Sequence, residues 1–362
     1  MDLIYNIAIG LAIAFGLKWL LNFGTIAVVG NPSYAGGSGS DLHSTAGLMS
    51  TTLRNYRDKM VDNLSTATPF YWWLTRNNRV RKESSGLSIE VQMLYGLNDT
   101  VRSYSGYGII DTTPQEGMTV ASYPWKQVAG TITISGREML LNKGKHRQIN
   151  LLKGKTRQLE ISIQRQMSTQ FLGLGVGNNS QDFFGLELLV EDGTAWGTLA
   201  GIDRNDAGNA WWRNQFRDNA NVAFGDNSTG AGYKGWRTDY NNASLGNEHP
   251  DFVLTTQTLY ESYENGLAPQ ERYTDTKIGD AGFEALKFKG AWIFYDAEVP
   301  AGYVWMLNSD YIELVQHEDC WLTPGEFIET PTQDAISSKN LSMGNVVISN
   351  AARHNLTIQQ GA

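Results

Sequence analysis

Two stretches of alternating polarity stand either side of a long connection, and that connection limits how the chain can fold more than any other feature. Ile89, Val91, Met93 and Tyr95 alternate with Ser88, Glu90, Gln92 and Leu94, and Val128, Gly130, Ile132 and Ile134 repeat with the same period further on. Successive strand residues point to opposite faces, so each stretch reads as a half-buried strand. The ~30 residues between them, 96–126, are rich in Gly, Ser, Tyr and Asp and hold Pro114 and Pro124, too long a connection for a compact hairpin. They carry no periodic apolar face of their own. A loop of this length flanked by strands needs a surface outside its own subunit to pack on. Tyr104, Tyr107, Tyr123 and Trp125 supply aromatic area of the kind enriched at interfaces, and these four are the candidate intersubunit contacts.

Downstream, Ile149, Leu152, Thr156, Leu159, Ile163, Met167 and Phe171 recur at steps of three and four. That spacing predicts an amphipathic helix of ~24 residues and ~36 Å, stopped by Gly173 and Gly175. Residues 178–246 dissolve into Gly, Asn and Asp around Trp196, Trp211, Trp212 and Trp236, which reads as loops pinned by large apolar side chains. Residues 252–254 read as a short buried strand, 258–267 as a helix, 292–294 and 303–307 as strands, and 346–348 as the last strand. Before the first strand, Pro69 and Phe70-Tyr71-Trp72-Trp73 suggest an arm with a short helix and an aromatic anchor. With no βα repeat, the fold class is α+β.

A chain of 362 residues suggests two lobes or more. Hydrophobic residues at 41% and charged residues at 18% describe a folded protein. A net charge of −8 argues against a protein that grips nucleic acid over a broad surface, because that binding is driven by Lys and Arg. Cys320 stands alone, so neither an internal disulfide nor a thiolate-rich zinc site can form. Residues 3–30 are apolar and long enough to cross a hydrocarbon core of ~30 Å. Against a membrane helix stand Asn6, Asn22, the want of a basic residue ahead of the run, and Lys18 near its centre at a cost of about 2.5–3.5 kcal/mol. Four readings stay open for this segment: a signal anchor, an interface helix, a dispensable leader, or upstream sequence from a misassigned start. A Gly- and Ser-rich linker, 31–47, follows, so residues 1–44 are expected to be dispensable for folding of the rest.

No catalytic, cofactor or metal site is expected. His317-Glu318-Asp319-Cys320 puts four potential ligands in a row, but neighbours on a strand point to opposite faces, so a polar turn is the simpler reading. The glycines at 173, 175 and 177 follow a helix rather than a strand and lack the Lys-Ser of a phosphate loop. One region is strongly basic: Arg137, Lys143, Lys145, His146, Arg147, Lys153, Lys155, Arg157 and Arg165. It suits either ion pairing between subunits or contact with DNA phosphates. The acid-rich remainder and the lack of interleaved aromatics weigh towards subunit pairing.

The C-terminal third adds a pattern of a different kind. Pro250-Asp251-Phe252-Val253-Leu254-Thr255-Thr256 is followed by Leu259-Tyr260, Tyr263, Pro269-Gln270-Glu271-Arg272-Tyr273-Thr274-Asp275, Gly282-Phe283, Leu286-Lys287-Phe288-Lys289-Gly290-Ala291 and Leu307-Asn308. In this order and spacing the chain resembles the major capsid proteins of tailed bacteriophages with the Hong Kong 97-like fold, over residues 48–357. The resemblance implies an N-terminal arm at 48–83, an extended β-hairpin loop at 84–136 and a peripheral domain with a long spine helix at 137–177. An axial domain with returning peripheral strands would occupy 178–345, and a C-terminal strand and tail 346–362.

The implied function is structural and non-enzymatic, without cofactors. Copies would form hexamers and pentamers of an icosahedral head shell around double-stranded DNA, in the virion and, during assembly, in the host cytoplasm. Implied partners are other copies, separate scaffolding, portal and decoration proteins, and packaged DNA through weak nonspecific contact. Family members often carry a charged, helical scaffolding segment at the N-terminus, from which the apolar 3–30 departs. Some cross-link a Lys of the extended loop to an Asn of a neighbour, whereas residues 83–125 here contain no Lys, so a noncovalent shell is expected. An encapsulin-like nanocompartment shell of the same fold is the alternative. A membrane-anchored enzyme or binding module rests on residues 3–30 alone.

Overall fold

The computed structural model describes residues 68–141, 145–225, 232–267 and 286–360, with the backbone alone for 145–150. Residues 1–67, including the apolar segment and linker, lie outside the described residues, as do Lys143 and the motif at 269–283. In chain order the elements are α1 (Pro69–Arg76), β1 (Val80–Glu83), β2 (Ser88–Leu94), β3 (Met118–Pro124), β4 (Lys126–Ser135), α2 (Gly136–Leu141) and α3 (Lys145–Leu172). Then follow β5 (Thr198–Leu199), β6 (Ile202–Asp203), β7 (Gln215–Ala223), α4 (Gly232–Ala243), β8 (Phe252–Thr255), α5 (Gln257–Gly266), β9 (Leu286–Phe288) and β10 (Ala291–Tyr295). The chain closes with β11 (Tyr303–Leu307), β12 (Ile312–His317), β13 (Thr323–Pro324), β14 (Ile328–Glu329), β15 (Ala335–Ile348) and β16 (Asn355–Gln360). Among the described residues no helix is long and apolar enough to cross a membrane.

One sheet is built on β15. β4 runs antiparallel along it from Lys126↔Gly344 to Ser135↔Ala335, β12, β13 and β14 pair with it in turn, and β1 adds in parallel to β12. Gly344 pairs with Lys126 on one flank and Gln316 on the other, and a Cβ there would lie 2.4 Å from the Val315 carbonyl oxygen. Only glycine fits between two backbones so close. β15 turns Ile336, Ser338, Asn340 and Ser342 inward, and the two serines are satisfied locally: Ser338 Oγ donates to the Gly325 carbonyl, and Ser342 Oγ accepts from Leu322 N–H.

The second sheet is mixed, in the order β7-β16-β11-β8-β10-β9. β8 is buried on both sides. Phe252 and Leu254 join the core shared with the first sheet and with Ile163, Met167 and Phe171 of α3. Val253 faces the other way, into a core with Trp236 and Tyr240 of α4 and Leu259, Tyr260 and Tyr263 of α5. Trp236 and Tyr263 stack there at 5.4 Å. Burying side chains of this size is worth about 1.5–3 kcal/mol each. α1, begun by Pro69 as helix starts often are, stacks Trp73 on Phe252 at 4.5 Å and so ties the N-terminal end of the described chain to the second sheet.

Several sequence expectations are corrected. β2 pairs with β3, a strand inside the expected loop, so the connection is residues 95–117. β4, expected to flank that loop with β2, instead pairs with β15, some two hundred residues away. Residues 346–348 are only the end of β15, and β16 is the last strand. Residues 178–246 are not loops throughout, for they contain β7 and α4, with Trp236 buried on the helix. Beside Tyr123, β3 buries only Ala121, and beside Leu356, β16 buries Asn355, Thr357 and Gln359, which hides both strands from a search for apolar periodicity.

Candidate assembly surface

The β2–β3 ribbon sorts its side chains by strand alternation. Ile89, Met93, Ala121 and Tyr123 are buried on one face, while Glu90, Gln92, Leu94, Met118, Val120 and Ser122 are exposed on the other. The ribbon is fixed at its base. Ser122 N–H donates to the Ala200 carbonyl at 3.0 Å, and Tyr95 stacks on Trp211 at 5.0 Å. At the far end of the ladder a Cβ on Gly117 would lie 2.9 Å from the Gly96 carbonyl oxygen, so the strands there close on two glycines.

Beyond that point the connection is ordered by its own short-range contacts. Asn98 Oδ1 accepts from Thr100 N–H at 2.9 Å, Asp111 Oδ1 accepts from Thr113 N–H at 3.1 Å, and Arg102 pairs with Asp111 at 2.5 Å. The hydrogen bonds from Thr113, helped by Arg102, hold the Asp111 carboxyl below its usual range. What these contacts leave outside is apolar: Leu97, Val101, Tyr104, Tyr107, Ile109 and Ile110 are all exposed. Soluble chains seldom leave so much apolar area together uncovered.

The four candidate aromatic contacts therefore divide. Tyr104 and Tyr107 stand exposed on the connection. Tyr123 does not, because its hydroxyl donates to the Ile348 carbonyl at 2.9 Å and accepts from Ile348 N–H at 3.3 Å, and burial raises its pKa. Its area serves the chain's own core. Trp125 is half-buried, with Nε1 donating to the Gly86 carbonyl at 3.0 Å and its ring against His317. The apolar partners Leu97, Val101, Ile109 and Ile110 were missed because they follow no period; their presence in a Gly- and Ser-rich stretch was the only signal.

The basic residues also divide. Lys155 is committed within the chain, its Nζ donating to the Thr133 carbonyl at 3.0 Å and pairing with Glu138 at 3.1 Å. That hydrogen bond, with one from Ser135 N–H, lowers the Glu138 carboxyl. Arg137, Lys153, Arg157 and Arg165 are exposed, while Lys145 and Arg147 lie on α3 with only their backbone described. The 317–320 run is a strand end followed by a turn, with His317 Nδ1 accepting from Asp319 N–H at 3.3 Å. Among the described residues no group of three or more His, Cys, Asp and Glu could hold a metal ion.

The loops behind the ribbon are held by a buried ion pair that sequence patterning did not single out. Arg204 has no exposed side-chain surface, pairs with Glu191 at 2.6 Å and donates to the Leu188 carbonyl at 3.0 Å. Burial is the larger influence on both partners, lowering the Arg204 pKa and raising that of Glu191, with their mutual attraction opposing it.

No protein-family model matches the chain, and no curated protein matches it. Solved structures do. The chain is similar to the capsid protein in the asymmetric unit of cyanophage A-1(L), at 14% identity and a TM-score of 0.57, over 78% of this chain and 90% of that one. The capsid of Myoviridae phage XM1 matches at 9% identity and a TM-score of 0.50, over 79% and 91%. The SrpI encapsulin complex of Synechococcus elongatus PCC 7942 matches at 12% identity and 0.49, over 80% and 87%. On the first two likenesses and the two-sheet architecture with its ribbon and long helix, the chain has the Hong Kong 97-like fold of tailed-phage capsids.

Proposed function

We propose that this chain is the major coat subunit of a tailed-phage head, a structural protein whose copies associate into hexamers and pentamers of a closed shell around double-stranded DNA. The observation that carries the reading is the ribbon and its connection, whose apolar residues stand uncovered among the described residues. Each exposed Leu, Ile or Tyr moved out of water contributes about 1.5–3 kcal/mol, so a second copy is the natural cover. The capsid fold supplies the context in which such a ribbon makes sense. Scaffolding, portal and decoration proteins belong to the same reading as partners, and the virion as the location.

Sedimentation and cryo-electron microscopy of the purified full chain test it. Closed shells are expected, and shells isolated from the natural source should hold nuclease-protected DNA. A chain that stays monomeric at high concentration overturns the reading. Shells filled with a protein cargo would move it to a nanocompartment.

A further inference from the structure

α3 spends one face on the sheet and, among the described residues, leaves the other exposed. Leu152, Ile163 and Met167 are buried, while Lys153, Arg157, Ile161 and Arg165 are exposed on the side turned away from them. Unlike Lys155, the cations Lys153, Arg157 and Arg165 take part in none of the ion pairs among the described residues. Glu160, the only carboxylate on the helix, is buried, so nothing on the helix itself neutralises them. From Lys153 to Arg165 the cations span about 18 Å at 1.5 Å per residue. Opposite this length a DNA duplex presents a charge every ~1.7 Å of its axis.

What else lies on this face decides between an interface with another copy and a nucleic-acid contact. A stable subunit interface needs an apolar core inside a polar rim. Among the described residues of this face Ile161 is the one exposed large apolar side chain, its neighbours Gln158 and Gln166 are uncharged hydrogen-bond donors, and the Ser162 hydroxyl is spent on the Gln158 carbonyl at 2.9 Å. Phosphate backbones are held by Lys and Arg together with such donors, and need neither an apolar core nor shape complementarity. Lys153, Arg157 and Arg165 lie in neither the first nor the last turn of the helix, where alone the macrodipole acts on a charged side chain. Helix stability does not account for them.

We infer that the exposed face of α3, through Lys153, Arg157 and Arg165, is a sequence-independent contact for the phosphate backbone of double-stranded DNA. This rests on the coat-subunit reading for its biological sense, although the chemistry stands without it. With three cations per subunit and a chain of net charge −8, the contact is weak for one copy and gains through repetition over a shell.

The test uses the full chain, unassembled, with a fluorescent random-sequence duplex of about 30 base pairs, and follows affinity from about 50 to 200 mM salt. Replacing Lys153, Arg157 and Arg165 together by Gln should lower the log–log salt slope by about 2–3, and each single replacement by about 0.9. The charge-keeping set Lys153→Arg, Arg157→Lys and Arg165→Lys should retain the wild-type slope. An unchanged slope in the Gln variant overturns the inference, as does a wild-type chain that does not bind the duplex. Loss of closed particles in the Gln variant with an unchanged slope would assign the face to contact between copies. A wild-type chain that shows the slope difference yet never closes into shells would leave this inference standing and remove the coat-subunit reading instead.

Discussion

Arg204 shows how much a single residue can hold in place: its guanidinium holds Leu188 and Glu191, and its backbone carbonyl accepts from the Arg213 guanidinium. Replacing it by Met leaves the partly buried Glu191 carboxylate without its cation and with only the Gly197 N–H donating to it, and breaking a buried pair typically costs about 3–5 kcal/mol, an upper bound here. The urea midpoint of Arg204→Met should fall accordingly, and an unchanged midpoint would show that water reaches Glu191. His354 is buried completely, with Nδ1 accepting from Asn308 N–H at 3.3 Å, and burial pushes its pKa down from 6.5 to about 4. The unfolded chain therefore takes up the proton first. The stability due to neutral His354 is full above pH ~6.5 and is lost as pH falls towards ~4, by about 3 kcal/mol in all. Asp239 and Asp251, raised by burial, act in the opposite sense over part of this range, so the comparison must be made with a variant. Between pH 7 and 5 the wild type should lose more stability than His354→Gln; equal losses would remove His354 from the account. Neither residue was legible in the sequence. Their burial is made by segments far from them in the chain, and an isolated Arg or His carries no mark of that.

At the scale of elements, legibility followed the chemistry of the inward face. α3 was predicted from apolar steps of three and four and found to within a few residues, and β8 declared itself as a short apolar run because both of its faces are buried. β15 was seen only at its apolar end, since its earlier inward positions include Ser338, Asn340 and Ser342. β16 was missed because it buries Asn355, Thr357 and Gln359, where Thr357 Oγ1 donates to Asp239 at 2.8 Å and Gln359 Nε2 to the Val222 carbonyl at 2.7 Å. A strand whose buried side chains are mostly polar looks like loop sequence. The pairing of β4 with β15 was beyond local patterning altogether. These corrections sharpen what the connection can lose: replacing residues 97–116 by Asn-Gly should leave the β2–β3 ladder closed and the circular dichroism unchanged, while closed particles vanish from sedimentation. Carrying the deletion through Trp125 removes Ala121 and Tyr123 from the core and should unfold the chain. Normal particles from the shorter deletion would end the assignment of the connection to assembly. Gly344→Ala, which drives a Cβ against Val315, should destabilise by about 1–3 kcal/mol in the same unfolding measurement.

On the scale of the whole molecule, the motifs that carried the family resemblance turn out, where they fall among the described residues, to be largely packing positions. Phe252, Val253, Leu254, Leu259, Tyr260, Tyr263, Leu286, Phe288, Ala291 and Leu307 are all buried in or beside the second sheet. Fold was therefore more legible than site, because the candidate surface is defined by what lacks a partner, and a sequence does not display that. The want of Lys in residues 83–125 leaves no amine on the ribbon for an intersubunit bond, so assembled particles should give one band near 40.1 kDa in denaturing electrophoresis. A ladder of multiples would contradict this. β15, bonded to β4 over ten residue pairs and held on its other flank by β12, β13 and β14, has a further consequence. Peeled from one end, such a strand gives way one bond at a time; pulled along its length, it loads all of those bonds together. A strand so placed works as a tension rod, stiffest along its own length.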